Sequence, residues 1–204
     1  MIIDHPEVWP FRAVGRLVIN HNGKLFTATG TLVGPQHVLT AAHNVPSSSA
    51  MLSFNPGQKG SITPYKSHEV TARYAPDEWI KHQDLDWDIA ILKLSAPIGK
   101  ITGFYGFTAL GPLEGKGLEI RILGYPTQAN GEMWLHKTIV TKSGPERLVH
   151  EGMTLQGESG SPIFVQNNAG QIVVIGVHTY REDGYAFGPK ITAKKRDFIV
   201  AHLS

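Results

Sequence analysis

Gln156-Gly157-Glu158-Ser159-Gly160-Ser161-Pro162-Ile163 is the stretch on which the reading of this chain turns. A serine set between glycines and followed by a β-branched run, Ile172 to Val177, has the look of a nucleophile held in a tight, backbone-rich loop. The motif alone is weak, because small residues also gather in turns for conformational reasons. Its weight depends on whether the chain supplies a base and an orienting acid, and in what order.

Two other stretches supply them. Gly30 to Val45 reads as a strand followed by Ala41-Ala42-His43, where the small residues let an imidazole approach backbone closely. Taken singly, His43 reads first as a hydrogen-bonded interior histidine. Asp84-Leu85-Asp86-Trp87-Asp88-Ile89-Ala90-Ile91-Leu92 puts Asp88 at the mouth of an apolar strand, where a buried carboxylate needs a partner or merely caps the strand. Together the three explain one another. A serine hydroxyl is a poor nucleophile near neutral pH and needs a base within hydrogen-bond reach. Histidine suits that role, and a carboxylate on its other ring nitrogen fixes the tautomer and stabilises the imidazolium. The order His, Asp, Ser differs from that of α/β-hydrolases and subtilisins and matches the chymotrypsin-like order.

The rest of the chain is consistent with many short strands. Its 204 residues include 22 glycines and 13 prolines, with β-branched or aromatic runs between them. The expected strands are 16–19, 25–31, 37–40, 50–54, 69–74, 89–94, 118–123, 133–140, 153–156, 163–165, 172–179 and 185–192. That spacing predicts an all-β sandwich or pair of barrels. A helical period occurs over Ala193–Leu203, with Phe198, Ile199 and Leu203 on one face and Lys194, Lys195 and Arg196 in water. Residues 41–45 have room for one helical turn. The Gly-rich stretch 102–117 is the expected linker, and Ser47-Ser48-Ser49 a loop. The expected division is 1–110, carrying His43 and Asp88, and 111–204, carrying Ser159.

Composition bounds the partners. A net charge of +2, with no basic stripe interleaved with aromatics, argues against nucleic acid. No apolar run approaches the ~20 residues of a membrane span. Without cysteine there is no disulfide or thiolate chemistry. Met1-Ile2-Ile3-Asp4-His5-Pro6 lacks the charged and apolar regions of a signal peptide. Asp84, Asp86 and Asp88 have the spacing of a calcium loop's first ligands but lack its Gly and its Glu; no His-Glu-x-x-His and no P-loop ending occur. Most other histidines, including His37, His136 and His150, read as surface or loop residues. Trp79 and Trp87 read as packing. No metal or cofactor is expected.

Leu39-Thr40-Ala41-Ala42-His43, Asp88-Ile89-Ala90-Ile91-Leu92 and Gly157-Glu158-Ser159-Gly160-Ser161-Pro162 closely resemble the three active-site motifs of chymotrypsin-like serine proteases. The Gly-x-Ser-Gly-Ser-Pro form, with Leu123-Gly124-Tyr125-Pro126, resembles the glutamyl endopeptidases of the staphylococcal V8 type and of Bacillus. The resemblance implies two six-stranded antiparallel β-barrels with a C-terminal helix and a triad in the cleft between them. It implies that Ser159 is the nucleophile, His43 the general base, Asp88 its orienting acid, and the N–H groups of Gly157 and Ser159 the oxyanion hole. It further implies that Thr154 and His178 hold a substrate carboxylate. Thr179 and Tyr180, with Arg181, would pair with substrate main chain.

The implied activity is peptide-bond hydrolysis after Glu, less well after Asp, through an acyl-enzyme. Protein or peptide substrates, a monomer and secretion go with it. The alternatives are the same triad with a small or apolar pocket preference, Thr154 and His178 being ordinary strand residues, and a catalytically idle binding module or toxin. Met153 stands where trypsins carry the Asp that selects Lys or Arg. Glu158 is expected to be a solvated loop acid, with the tethering of an ammonium group as the other option. Arg181 and Lys190 are expected to be solvated surface cations.

Overall fold

The computed structural model describes residues 1–45, 49–167 and 169–204; Ser47 and Ser48 of the expected loop lie outside them. The first half is a closed six-stranded antiparallel barrel. Its strands are β1 (Val14–His21), β2 (Lys24–Leu32), β3 (His37–Thr40), β4 (Met51–Pro56), β5 (His68–Tyr74) and β6 (Ala90–Leu94), ordered β1-β2-β3-β6-β5-β4 around the wall. Asn22 and Gly23 both have positive φ in the two-residue turn between β1 and β2, which suits the right-handed twist of a hairpin. The barrel closes over Leu17, Leu32, Phe54, Leu92 and Leu94, all buried.

The second half is built on an eight-stranded sheet. It comprises β7 (Gly106–Phe107), β8 (Glu119–Gly124), β9 (Trp134–Ser143), β10 (Arg147–His150), β11 (Pro162–Gln166), β12 (Ile172–Val177), β13 (Tyr180–Glu182) and β14 (Tyr185–Pro189). Their order is β13-β14-β10-β9-β8-β11-β12-β7. A bridge between Gly176 and Lys190, with Ile191 N–H donating to Ile175 O, ties β12 back to the end of β14. Six strands thus curl into a second barrel, and β7 and β13 are appended at its edges.

Most expected strands are present, and the differences have local causes. Residues 153–156 form no strand; Leu155 N–H donates to the Glu158 carboxylate instead of a neighbouring strand, so this run becomes a wall of the cleft. A short helix, α1 (Asp77–His82), follows Pro76 and buries no residue, so it carries no apolar period to read. Helix α2 (Gly99–Thr102) ends where the expected linker, 102–117, begins, and strand β7 lies inside it.

The terminal helix α3 (Ala193–Ala201) buries Ile199, with Phe198 and Leu203 packed on the same core cluster, as the period predicts. Lys195 is not in water, however. It is buried, pairs with Glu146 Oε2 at 2.6 Å, and lies 4.9 Å from the Trp87 ring centroid. Lys190 is likewise buried rather than solvated. Its ammonium donates to the carbonyls of Gly111, Pro112 and Glu114 and to Ser143 Oγ, fastening the crossing segment to the second sheet. Helical and strand periods locate side chains by face. They do not reveal a cation buried because main-chain carbonyls converge on it.

Candidate active site

His43 and Asp88 meet because β3 and β6 are neighbours. Their antiparallel register, His37↔Lys93 through Thr40↔Ala90, brings the exit of β3 beside the entry of β6. A 3-10 turn at Ala42–Asn44 carries His43, and another at Leu85–Trp87 delivers Asp88. Asp88 is buried. One carboxylate oxygen accepts the His43 main-chain N–H at 2.9 Å; the other lies 2.6 Å from His43 Nδ1. A carboxylate that accepts from both the backbone and the ring holds the imidazole in one orientation, with the Nδ1 proton directed at Asp88.

Ser159 is presented by the loop between residue 155 and β11. Two glycines shape it. Gly160 has φ +91°, and a Cβ there would lie 2.1 Å from Thr29 O; Gly157 has φ +95°, and a Cβ would lie 2.6 Å from Tyr125 O. No residue with a side chain fits either position. The loop is then pinned from both barrels. Thr29 N–H and Asn44 Nδ2 donate to Ser159 O, Thr29 Oγ1 donates to Gly157 O, and Gly160 N–H donates to His178 O. Glu158 N–H and Ser161 N–H are also used, by Leu155 O and Glu158 O. Those of Gly157 and Ser159 have no partner among the described residues. The Ser159 hydroxyl donates to Thr179 O at 2.8 Å and not to His43, although both side chains line one cavity.

Glu158 corrects the sequence-based expectation. It is a buried acid, not a solvated one. Oε1 lies 2.8 Å from His136 Nε2, and Oε2 accepts Leu155 N–H at 2.7 Å. The partner is thus an imidazole on β9, which also moves His136 from the expected surface set into the support of the loop. The signal was invisible in sequence because the partners are 22 residues apart on different elements.

The cavity at Ser159 has a volume of about 560 Å³. Thr154, His178, Thr179, Tyr180 and Arg181 all line it, together with His43 and Asp88. Thr154 and His178 are almost fully buried, and Thr154 Oγ1 and His178 Nδ1 have no hydrogen-bond partner among the described residues. Buried polar atoms are mostly paired, so these two leave hydrogen-bonding capacity unused in the cavity wall. Burial, then the nearby rings of His150 and His136, holds the His178 pKa well below the usual histidine value, so the free imidazole is neutral. His150 is buried as well, against expectation. Its ring centroid lies 5.6 Å from that of His178, and its Nδ1 accepts Gly152 N–H.

Two contributors went unrecognised in sequence. Trp79, read as packing, lines the cavity from α1, and Leu85 lines it beside Asp88. Arg147 joins the halves, pairing with Asp86 at 2.6 Å and donating to Tyr180 Oη at 3.0 Å. Strand β13 is the outermost strand of its sheet, so one edge of 180–182 is open for pairing. The described residues contain no group of three or more His, Asp or Glu able to share a metal ion. No helix among them is long and apolar enough to cross a membrane.

Comparison with known proteins bears on the family and the fold. A glutamyl endopeptidase of Bacillus licheniformis is 27% identical over 208 residues, covering 96% of this chain and 64% of that protein. A protein named extracellular metalloprotease, from Bacillus subtilis, is 27% identical over 191 residues, covering 90% of this chain and 61% of that one. The chain therefore spans less than two thirds of the length of these curated relatives. The solved structure of a Glu endopeptidase in complex with MPD superposes with TM-score 0.86 at 26% identity, covering 100% of this chain and 95% of the other. The protease Anisep of Arthrobacter nicotinovorans shares the fold, with TM-score 0.77 at 20% identity over 95% of this chain and 96% of that one. Residues 28–177 match the family described as the trypsin-like peptidase domain, and the chain belongs to that family.

Proposed function

We propose that this chain is a serine endopeptidase that cleaves proteins and peptides after glutamate, and less well after aspartate. The observation that carries the reading is a pair of buried polar atoms, Thr154 Oγ1 and His178 Nδ1, that have no hydrogen-bond partner among the described residues and belong to side chains lining the cavity that also holds Ser159. A glutamate carboxylate there would accept from the hydroxyl and from the imidazole. Its charge would draw a proton onto His178, making that bond charge-assisted. No cation or carboxylate side chain competes at the position of Met153, which is exposed.

The chemistry then follows from the geometry. The Ser159 hydroxyl leaves Thr179 O and turns to His43 Nε2, a change of one side-chain torsion. His43 takes the proton as Oγ attacks the scissile carbonyl, and Asp88 stabilises the imidazolium. The N–H groups of Gly157 and Ser159, with no partner among the described residues, would receive the developing oxyanion. His43 then returns the proton to the leaving amine, and water repeats the sequence on the acyl-enzyme. Thr179 to Arg181 would align substrate main chain along the open edge of β13. In this reading residues 1–110 supply base and acid, and residues 111–204 supply nucleophile and pocket. Secretion accords with the name of the B. subtilis relative.

The test is covalent labelling. A fluorophosphonate probe is expected to modify the folded protein at one site, Ser159 by peptide mapping, and to leave Ser159→Ala unlabelled. Absence of labelling in active-buffer conditions would sink the enzyme reading.

A further inference from the structure

A second cavity, of about 350 Å³, opens on the other side of the nucleophile. It shares His43, Gln156 and Ser159 with the first, and Gly157 lies at its inner end. Its far wall comes from the β1–β2 hairpin: Ile19, His21, Phe26 and Thr27. An extended peptide with its scissile bond at Ser159 must occupy both cavities. The acyl half belongs with the buried donors and the open β13 edge of the first. The leaving half must then enter the second, past His43, which has to reach the leaving nitrogen.

The chemistry of that wall is specific. None of the residues lining it is Asp, Glu, Lys or Arg. Phe26 is an aromatic ring with 51% of its surface exposed, set directly opposite buried Ile19 in the strand register. The wall is also rigid relative to the nucleophile. Thr29, three residues along the same strand, is bonded to Ser159 O and Gly157 O, and Thr27 Oγ1 lies 3.0 Å from Thr127 Oγ1 across the cleft. A charged side chain placed here would lose water and meet no Asp, Glu, Lys or Arg, only the imidazoles of His21 and His43, whereas an apolar one would cover Phe26.

We propose that the groove floored by Phe26 and Ile19 binds the leaving half of the substrate and selects an apolar side chain, aliphatic or aromatic, at one of the first two residues after the scissile bond. This rests on the reading of His43 and Ser159 given above.

The experiment uses two substrate sets that share one acyl part ending in Glu. One is a fluorogenic amide with no residue beyond the scissile bond. The other is a series of internally quenched peptides with Leu, Phe, Ser, Asp or Lys at the first and second positions beyond it. Leu and Phe are expected to exceed Asp and Lys by about tenfold in kcat/KM at one of those positions, the scale at which an apolar pocket discriminates. In Phe26→Ser that ratio should shrink to about threefold or less. The loss on the Leu peptide should then exceed the loss on the amide by about fivefold. Phe26→Leu should restore the preference, and Phe26→Lys should turn it toward Asp. Equal rates across the series, or equal losses on peptide and amide in Phe26→Ser, would overturn the proposal and leave the peptidase reading standing. Cleavage that persists in Ser159→Ala, or no cleavage at all, would overturn both.

Discussion

His178, on the function proposed above, costs the fold stability and serves a substrate. It is buried and held neutral, and its Nδ1 has no partner among the described residues. Such an arrangement weakens the free protein, because an unmatched buried donor or acceptor costs on the order of 1–3 kcal/mol. On the proposed function it becomes favourable when a substrate carboxylate arrives. Replacing the imidazole should therefore affect substrates unequally. For His178→Ala, kcat/KM on a Glu peptide is expected to fall on the order of 100-fold, and on the matched Gln peptide by less than about fivefold. Equal losses measured side by side would mean that the ring only supports the cavity wall.

At the scale of elements, the nucleophile loop is the part whose shape depends most on distant groups. Glu158 joins its centre to β9 through His136 and to residue 155 through a main-chain N–H. Removing the carboxylate strands both partners in a dry site. Glu158→Ala is expected to lower kcat on the order of 100-fold with KM changed less than about threefold, because the N–H groups of Gly157 and Ser159 lose their aim. Glu158→Gln, which keeps an acceptor for Leu155 N–H, should recover part of that loss. A variant that melts earlier but turns over at the wild-type rate while folded would remove the positioning role.

The legibility of the elements follows the same division. Strands with β-branched runs, the turn at His43 and the apolar face of α3 announce themselves locally, and so does the order His43, Asp88, Ser159. What sequence hides is long-range pairing. Glu158 with His136, Lys190 with three carbonyls and Lys195 with Glu146 each look solvated until the partner is placed beside them. Helix α1 is hidden for the opposite reason. All of its residues face water to some degree, so nothing in its pattern repeats, yet it places Trp79 on the cleft.

For the whole molecule, the buried histidines link stability to pH. Burial, aided by nearby His136, pushes the His150 pKa from 6.5 down to about 4, and His178 is displaced in the same direction. Between those values the unfolded chain binds protons that the folded chain refuses, so stability is complete above about pH 6.5 and is lost as the pH falls toward 4. For His150 alone the loss is on the order of 3 kcal/mol. Thermal unfolding of His150→Gln is expected to vary less between pH 7 and pH 4.5 than that of the wild type. Parallel curves for the two proteins would show that His150 takes no part.

The two barrels meet along a cleft in which His43 and Asp88 come from one and Ser159, Thr154 and His178 from the other. On the proposed function this assembly cuts after acidic residues. The most direct measurement is the cleavage-site profile on a denatured mixture of proteins, determined by sequencing the new termini, with Ser159→Ala as the control. Cuts concentrated after Glu, fewer after Asp, and none with Ser159→Ala are the predicted result. Cuts after small or apolar residues with no acidic preference would contradict the pocket, and cuts that survive Ser159→Ala would contradict the nucleophile.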